Sequence, residues 1–119
     1  MVTESIAYRK ALSFAKRIVL LAKHLNEAHH EYTLSKQILR SGTSSGTSIG
    51  ANIAEARYGY SRKDFAAKIY IALKECGETL YWLELLFLTE YLSPEEYESL
   101  QQDCEEIRRI LSATTKSTR

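Results

Sequence analysis

The sequence predicts an all-α chain folded as one antiparallel up-down-up-down four-helix bundle, and three observations lead there. Apolar residues recur at alternating three- and four-residue spacings along most of the 119 residues, the period of a buried helix face. Five glycines and one proline are too few for a sandwich or barrel, which needs a turn signal about every 8 to 12 residues. Hydrophobic residues at 45% and charged residues at 26% fit a single globular domain over 1–119 rather than a disordered chain or a disulfide scaffold.

The first helix starts near Ser5 and carries Ala7, Ala11, Phe14, Ile18, Leu21 and Leu25 on one face, with a stop expected between Asn26 and His30. The second is expected as one long helix with a weak middle. Leu34 and Ile38 stay in phase with Ile49, Ile53, Ala56 and Tyr60 across the segment Ser41-Gly42-Thr43-Ser44-Ser45-Gly46-Thr47-Ser48. That segment is a tandem copy of Ser-Gly-Thr-Ser, and four residues add about one turn; a loop between two shorter helices is the alternative. Gly59 and the capping-box-like Ser61-Arg62-Lys63-Asp64 mark the restart. The third helix then carries Phe65, Ile69, Ala72, Cys76, Leu80, Leu83 and Phe87 out to about Leu92. Ser93-Pro94-Glu95-Glu96 opens the fourth with an N-cap, a proline at the first helical position and a glutamate at the third. Tyr97, Leu100, Cys104, Ile107 and Leu111 form its apolar stripe, and Ala113 to Arg119 reads as a frayed polar tail.

Opposite the apolar stripe of the first helix run Arg9, Lys16 and Lys23 at seven-residue spacing, with Lys10 and Arg17 beside them. Seven residues are nearly two turns, so these cations align as a ridge. The formal charge of the whole chain is +1, yet residues 1–60 hold eight basic against four acidic side chains, a local +4 that leaves −3 on the remainder. A row of cations on one helix face is either a solvated surface or a stripe that contacts RNA or DNA phosphates, strengthened where an oligomer repeats it.

No arrangement for catalysis emerges. A di-iron bundle needs two Glu-x-x-His motifs, and only Glu27-Ala28-His29-His30 is present; histidines at a helix C-terminus suit its dipole without a metal. The Gly42–Gly50 stretch lacks the Gly-Lys-Ser or Gly-Lys-Thr of a P-loop. Serine and threonine nucleophiles find no histidine in the last three helices. Cys76 and Cys104 lie on apolar faces outside any Cys-x-x-Cys spacing, as core residues of a reducing compartment do. We therefore expect no enzyme activity, cofactor or metal. Met1-Val2-Thr3-Glu4-Ser5 lacks the order of a signal peptide, and no apolar run reaches the roughly 18 residues of a membrane span, so the expected location is the cytoplasm. Asn52 and Glu55 read as polar groups for an interhelical network or a ligand contact. Glu75, Glu78 and Glu84 read as solvated charges or intersubunit partners. Tyr8, Tyr58, Tyr60, Tyr70, Tyr81, Tyr91 and Trp82 exceed what a thin core hides, which points to a subunit interface.

Ser48-Ile49-Gly50-Ala51-Asn52-Ile53-Ala54-Glu55-Ala56, Ser61-Arg62-Lys63-Asp64-Phe65, Ile71-Ala72-Leu73-Lys74-Glu75 and Glu78-Thr79-Leu80-Tyr81-Trp82-Leu83 carry a resemblance that extends from Tyr8 to Ile110. The chain resembles the bacterial family of four-helix-bundle proteins encoded in intervening sequences of 23S rRNA genes. The resemblance implies a non-enzymatic bundle assembling as a homopentamer. It also implies kinship with the accessory variability determinant of diversity-generating retroelements, which binds nucleic acid and a reverse transcriptase. The second copy of Ser-Gly-Thr-Ser departs from the family's pattern by one extra turn. Two expectations follow for function: an oligomer contacting RNA or DNA through Arg9, Lys10, Lys16, Arg17 and Lys23, or an interaction scaffold for a protein partner such as a reverse transcriptase.

Overall fold

The computed structural model describes residues 2–42 and 62–117. Helix α1 spans Val2–His29, and its buried face is the expected stripe of Ala7, Ala11, Phe14, Ile18, Leu21 and Leu25, widened by Ala22. The helix stops at His30, whose φ of 53° is a left-handed value that histidine tolerates better than most residues. The Glu31 N–H then donates to the Leu25 carbonyl at 2.9 Å.

Glu31 also starts the next element. Its carboxylate accepts from the N–H groups of Leu34 at 2.5 Å and Ser35 at 3.4 Å, satisfying donors that the first turn of a helix leaves open. Helix α2 runs Thr33–Gly42 within the described residues. It is fastened to α1 by the Ser35 hydroxyl, 2.7 Å from Asn26 Oδ1, and by burial of Ile38. At Gly42 the two helices come so close that a Cβ would stand 3.2 Å from both Cγ atoms of Ile18. The expected continuation of this helix toward Tyr60, residues 43–48 of the tandem Ser-Gly-Thr-Ser and the expected cap at Ser61 lie outside the described residues.

Helix α3, Arg62–Leu88, buries Ile69, Ala72, Cys76, Leu83 and Leu86, with Phe65, Leu80 and Phe87 packed on that core. It ends four residues before the expected Leu92. Glu90 takes φ 71°, the Tyr91 N–H reaches the Leu86 carbonyl at 2.9 Å, and the Glu90 N–H reaches Phe87 at 3.1 Å. This is the hydrogen-bond pattern of a Schellman stop, in which a glutamate occupies the position glycine usually takes. The restart follows expectation: Ser93 N–H donates to Glu96 Oε1 at 2.9 Å, and Glu96 N–H donates to Ser93 Oγ at 3.1 Å, a reciprocal capping box.

Helix α4 runs Pro94–Ser117 and buries Leu100, Cys104, Ile107 and Leu111. The segment expected to fray from Ala113 is helical to Ser117, with Thr115 buried at 4% exposure. Thr114 and Thr115 return their hydroxyls to the carbonyls of Ile110 and Ser112 at 2.9 and 2.8 Å, so the polar side chains are satisfied within the helix. The helices form a cycle of neighbours in which α1 and α3 each pack on both α2 and α4. Among the described residues there are four helices and no strand; the fold is all-α. No described helix is long and apolar enough to cross a membrane.

Candidate functional site

Because α1 turns its alanine, phenylalanine and leucine stripe inward, its cations fall on the opposite side, and there the ridge divides. Lys10 and Arg17 sit one residue further round the helix than Arg9 and Lys16, which brings them to α4. Lys10 Nζ is 3.0 Å from Glu106 Oε1. Arg17 Nη1 is 2.5 Å from Asp103 Oδ2 and 3.5 Å from the Ser99 carbonyl. Both pairs are partly exposed, so each adds little to stability, about 0–1 kcal/mol. Their effect is electrostatic: a carboxylate already neutralises each cation.

Arg9, Lys16 and Lys23 point to solvent and have no ion pair among the described residues. They do not stand alone. Leu12 and Val19 lie between them at 59% and 41% exposure, and Leu20, at 56%, flanks the row. Arg9, Leu12, Lys16 and Val19 line one shallow recess together with Ser13 and Ala15. Positions 9, 16 and 23 against 12 and 19 have the spacing of heptad positions a and d, the seam along which one helix accepts another. The sequence reading picked out the cations and missed the apolar residues between them, although their spacing carried the signal. It also missed Asp103 and Glu106, whose pairing with α1 depends on how the bundle closes.

A second polar cluster joins α2 to α3. Arg40 reaches Glu78, which also accepts from Trp82 Nε1 at 3.3 Å, and Arg40 Nη1 lies 3.8 Å from Glu75 Oε1. Glu75 is 3% exposed, which overturns its reading as a solvated or intersubunit charge, and its Oε2 has no hydrogen-bond partner among the described residues. Glu84 is exposed. Beside this cluster the buried hydroxyls of Thr79 and Ser41 are 2.9 Å apart.

Cys76 and Cys104 are fully buried free thiols, with Cys104 Sγ 3.6 Å from the Cys76 carbonyl. The hydrogen bond with Cys104, reinforced by burial, pushes the Cys76 thiol far above the usual range, opposite to what a reactive cysteine requires. The His24 and His29 rings meet edge to face at 5.1 Å, and His29 meets Tyr91 at 5.3 Å. Among the described residues no group of three or more histidines, cysteines or acidic side chains is placed to hold a metal. Tyr8, Trp82 and Tyr91 pack against the core, whereas Tyr70 and Tyr81 stand 47% and 59% exposed on the outer side of α3. Asn52, Glu55, Tyr58 and Tyr60 lie outside the described residues.

Comparison with known proteins gives a consistent picture. Residues 3–113 match the family model of the 23S rRNA-intervening sequence protein. A crystal structure of a protein of unknown function from the S23 ribosomal protein family of Bacteroides thetaiotaomicron VPI-5482 is 51% identical. The match covers 96% of this chain and 98% of that one at a TM-score of 0.90. No curated protein matches. With the family model spanning almost the whole chain and a half-identical structure superposing along it, the chain belongs to the 23S rRNA-intervening sequence protein family.

Proposed function

We propose that this chain is a non-enzymatic interaction module whose outward α1 face recruits a macromolecular partner. One observation carries the reading: two of the five ridge cations are consumed by α4 carboxylates, and the three left exposed alternate with exposed Leu12 and Val19. Exposed Leu12, Val19 and Leu20 cluster on one helix, and clustered exposed apolar side chains favour an interaction surface over a solvated one, while a pure phosphate stripe gains little from them. The bundle is read as up-down-up-down, supported by the opposed order of the pairs Lys10–Glu106 and Arg17–Asp103. Self-assembly as the pentamer implied by family resemblance needs two complementary faces per protomer, and the exposed Tyr70, Tyr81 and Leu88 of α3 would supply one of them.

A second reading, RNA or DNA bound through phosphates, rests on the alignment of Arg9, Lys16 and Lys23 at steps of about 10.5 Å. In that reading Lys10 and Arg17 are spectators. The shared test is double charge reversal, Lys16→Glu with Lys23→Glu, with structured RNA, duplex DNA and an acidic helical peptide as probes and the assembly state followed by analytical ultracentrifugation. Loss of probe binding with assembly unchanged supports the α1 face; unchanged binding refutes it for both readings.

A further inference from the structure

We infer that the partner recruited by the outward α1 face is a second copy of this chain, which meets it with the outer face of α3 around Gly77. The inference rests on the reading of α1 as the recruiting surface and names what it recruits.

The exposed apolar side chains are confined to two places. Apart from Tyr32, between α1 and α2, every large one among the described residues stands either on α1, as Ile6, Leu12, Val19 and Leu20, or on α3, as Tyr70, Tyr81 and Leu88. The two helices do not touch each other, and each packs on both α2 and α4. They therefore occupy opposite corners of the bundle, and their outer faces look in opposite directions. Within one copy the two faces cannot meet, whereas a head-to-tail contact covers both of them in every copy of a closed ring.

Gly77 marks where on α3 the contact falls. It sits in the interior of a 27-residue helix, where glycine is less favourable than alanine. It is exposed, and a Cβ there would meet no atom within 4 Å, so nothing in the same copy calls for a missing side chain. Gly42 differs, since its bare Cα makes room for Ile18. On α3 the bare position lies between exposed Tyr70 and Tyr81, a notch that lets the helix of a neighbouring copy come close.

Charge favours unlike faces over like ones. An α1-to-α1 contact would set Arg9, Lys16 and Lys23 against the same three cations, which is strongly disfavoured. An α3-to-α3 contact would leave Leu12 and Val19 in water. The first 60 residues, which hold α1 and α2, carry a net +4, and the remainder, which holds α3 and α4, carries −3. A head-to-tail contact thus sets the positive half of one copy against the negative half of the next. The outer face of α3 exposes Lys74 as well as Glu84, so the field of the whole half, rather than a row of ion pairs, selects the unlike contact.

The test uses the full chain and two double variants, each of which removes one face. Leu12→Ser with Val19→Ser spoils the α1 face, and Tyr81→Ser with Leu88→Ser spoils the α3 face; all of these positions are exposed, so circular dichroism should be unchanged. In analytical ultracentrifugation the native chain is expected to sediment as an assembly and each variant alone as a monomer. An equal mixture of the two variants should form a heterodimer, because each supplies the face that the other lacks. Gly77→Gln should keep the fold and weaken assembly by about tenfold or more, since its side chain fills the notch. A monomeric native chain, a mixture that stays monomeric, or a Gly77→Gln chain that assembles like the native one overturns the inference. If the α1 variant assembles normally but no longer binds the acidic helical peptide or structured RNA, the second copy is overturned and α1 stands as the recruiting face for another partner. If that variant is unchanged in both assembly and probe binding, the inference and the reading beneath it both fail.

Discussion

Arg17 Nη1 lies 2.5 Å from Asp103 Oδ2, and this pair separates a cation that serves the bundle from the Lys16 ammonium one residue earlier, which faces solvent. Arg17→Ala is therefore expected to lower stability by no more than about 1 kcal/mol, as partly exposed ion pairs do, and to leave binding at the α1 face unchanged. Urea denaturation and anisotropy on the same protein check both halves. A large loss of binding would place Arg17 in the recruiting row.

Thr79 and Ser41 form a buried hydroxyl contact at 2.9 Å between α3 and α2, and Thr79 Oγ1 also lies 2.8 Å from the Glu75 carbonyl. Thr79→Val leaves the Ser41 hydroxyl with the Ile38 carbonyl alone, at 3.3 Å, and is expected to cost about 1 kcal/mol. Adding Ser41→Ala removes the other half of the contact, so the double variant should lose less than the sum of the singles. A double-mutant cycle in urea measures that coupling, and strict additivity would mean the contact contributes nothing.

Glu75 is buried, and its Oε2 is unpaired among the described residues, while Arg40 serves it and Glu78 together. Removing charge from the carboxylate is then much less harmful than removing the cation. Glu75→Gln is expected to be neutral or mildly stabilising, and Arg40→Gln to destabilise by about 2–3 kcal/mol, below the figure for a fully buried pair because the guanidinium is part exposed. Thermal melts of the two variants test the order, and a reversed order contradicts it.

The backbone hydrogen bond from Ser93, with the Ser93 side chain second, holds the Glu96 carboxyl below its ordinary value of 4.5. A lowered folded-state value means that the capping box stabilises the protein fully above the unfolded value. That stability disappears as pH falls through the lowered one. Melting temperature should therefore fall in acid more steeply for the native protein than for Glu96→Gln, which keeps an acceptor but does not titrate. Parallel curves would remove Glu96 from the acid response.

With Cys76 pushed up by its hydrogen bond to Cys104 and by burial, neither thiol should react with a disulfide reagent in mildly alkaline native buffer. Both should react once denaturant is added. Rapid native labelling would contradict the packing at the α3–α4 contact.

What the sequence made legible was whatever repeats locally. The α1 stripe from Ala7 to Leu25 and the Ser93–Glu96 capping box are patterns within a few turns, and both appear as expected. What it hid depends on tertiary closure. Lys16 and Arg17 differ by one residue, a rotation of about 100°, and α1 alone does not reveal which flank α4 will cover. Glu75 looked like a surface charge because its counter-ion, Arg40, lies on another helix. The stop at Glu90 was unreadable because its left-handed turn uses glutamate where glycine is the usual sign.

The most direct measurement is the affinity of the acidic helical peptide and of structured RNA for the native protein between about 50 and 200 mM salt. A seam in which Leu12 and Val19 bury apolar surface between three cations should lose less than about tenfold over that range, since the apolar part is insensitive to screening. A loss of about fortyfold or more, the size expected when three cations each meet a phosphate, with Leu12→Ser/Val19→Ser binding as tightly as the native chain, would contradict a mixed apolar and cationic recruiting face.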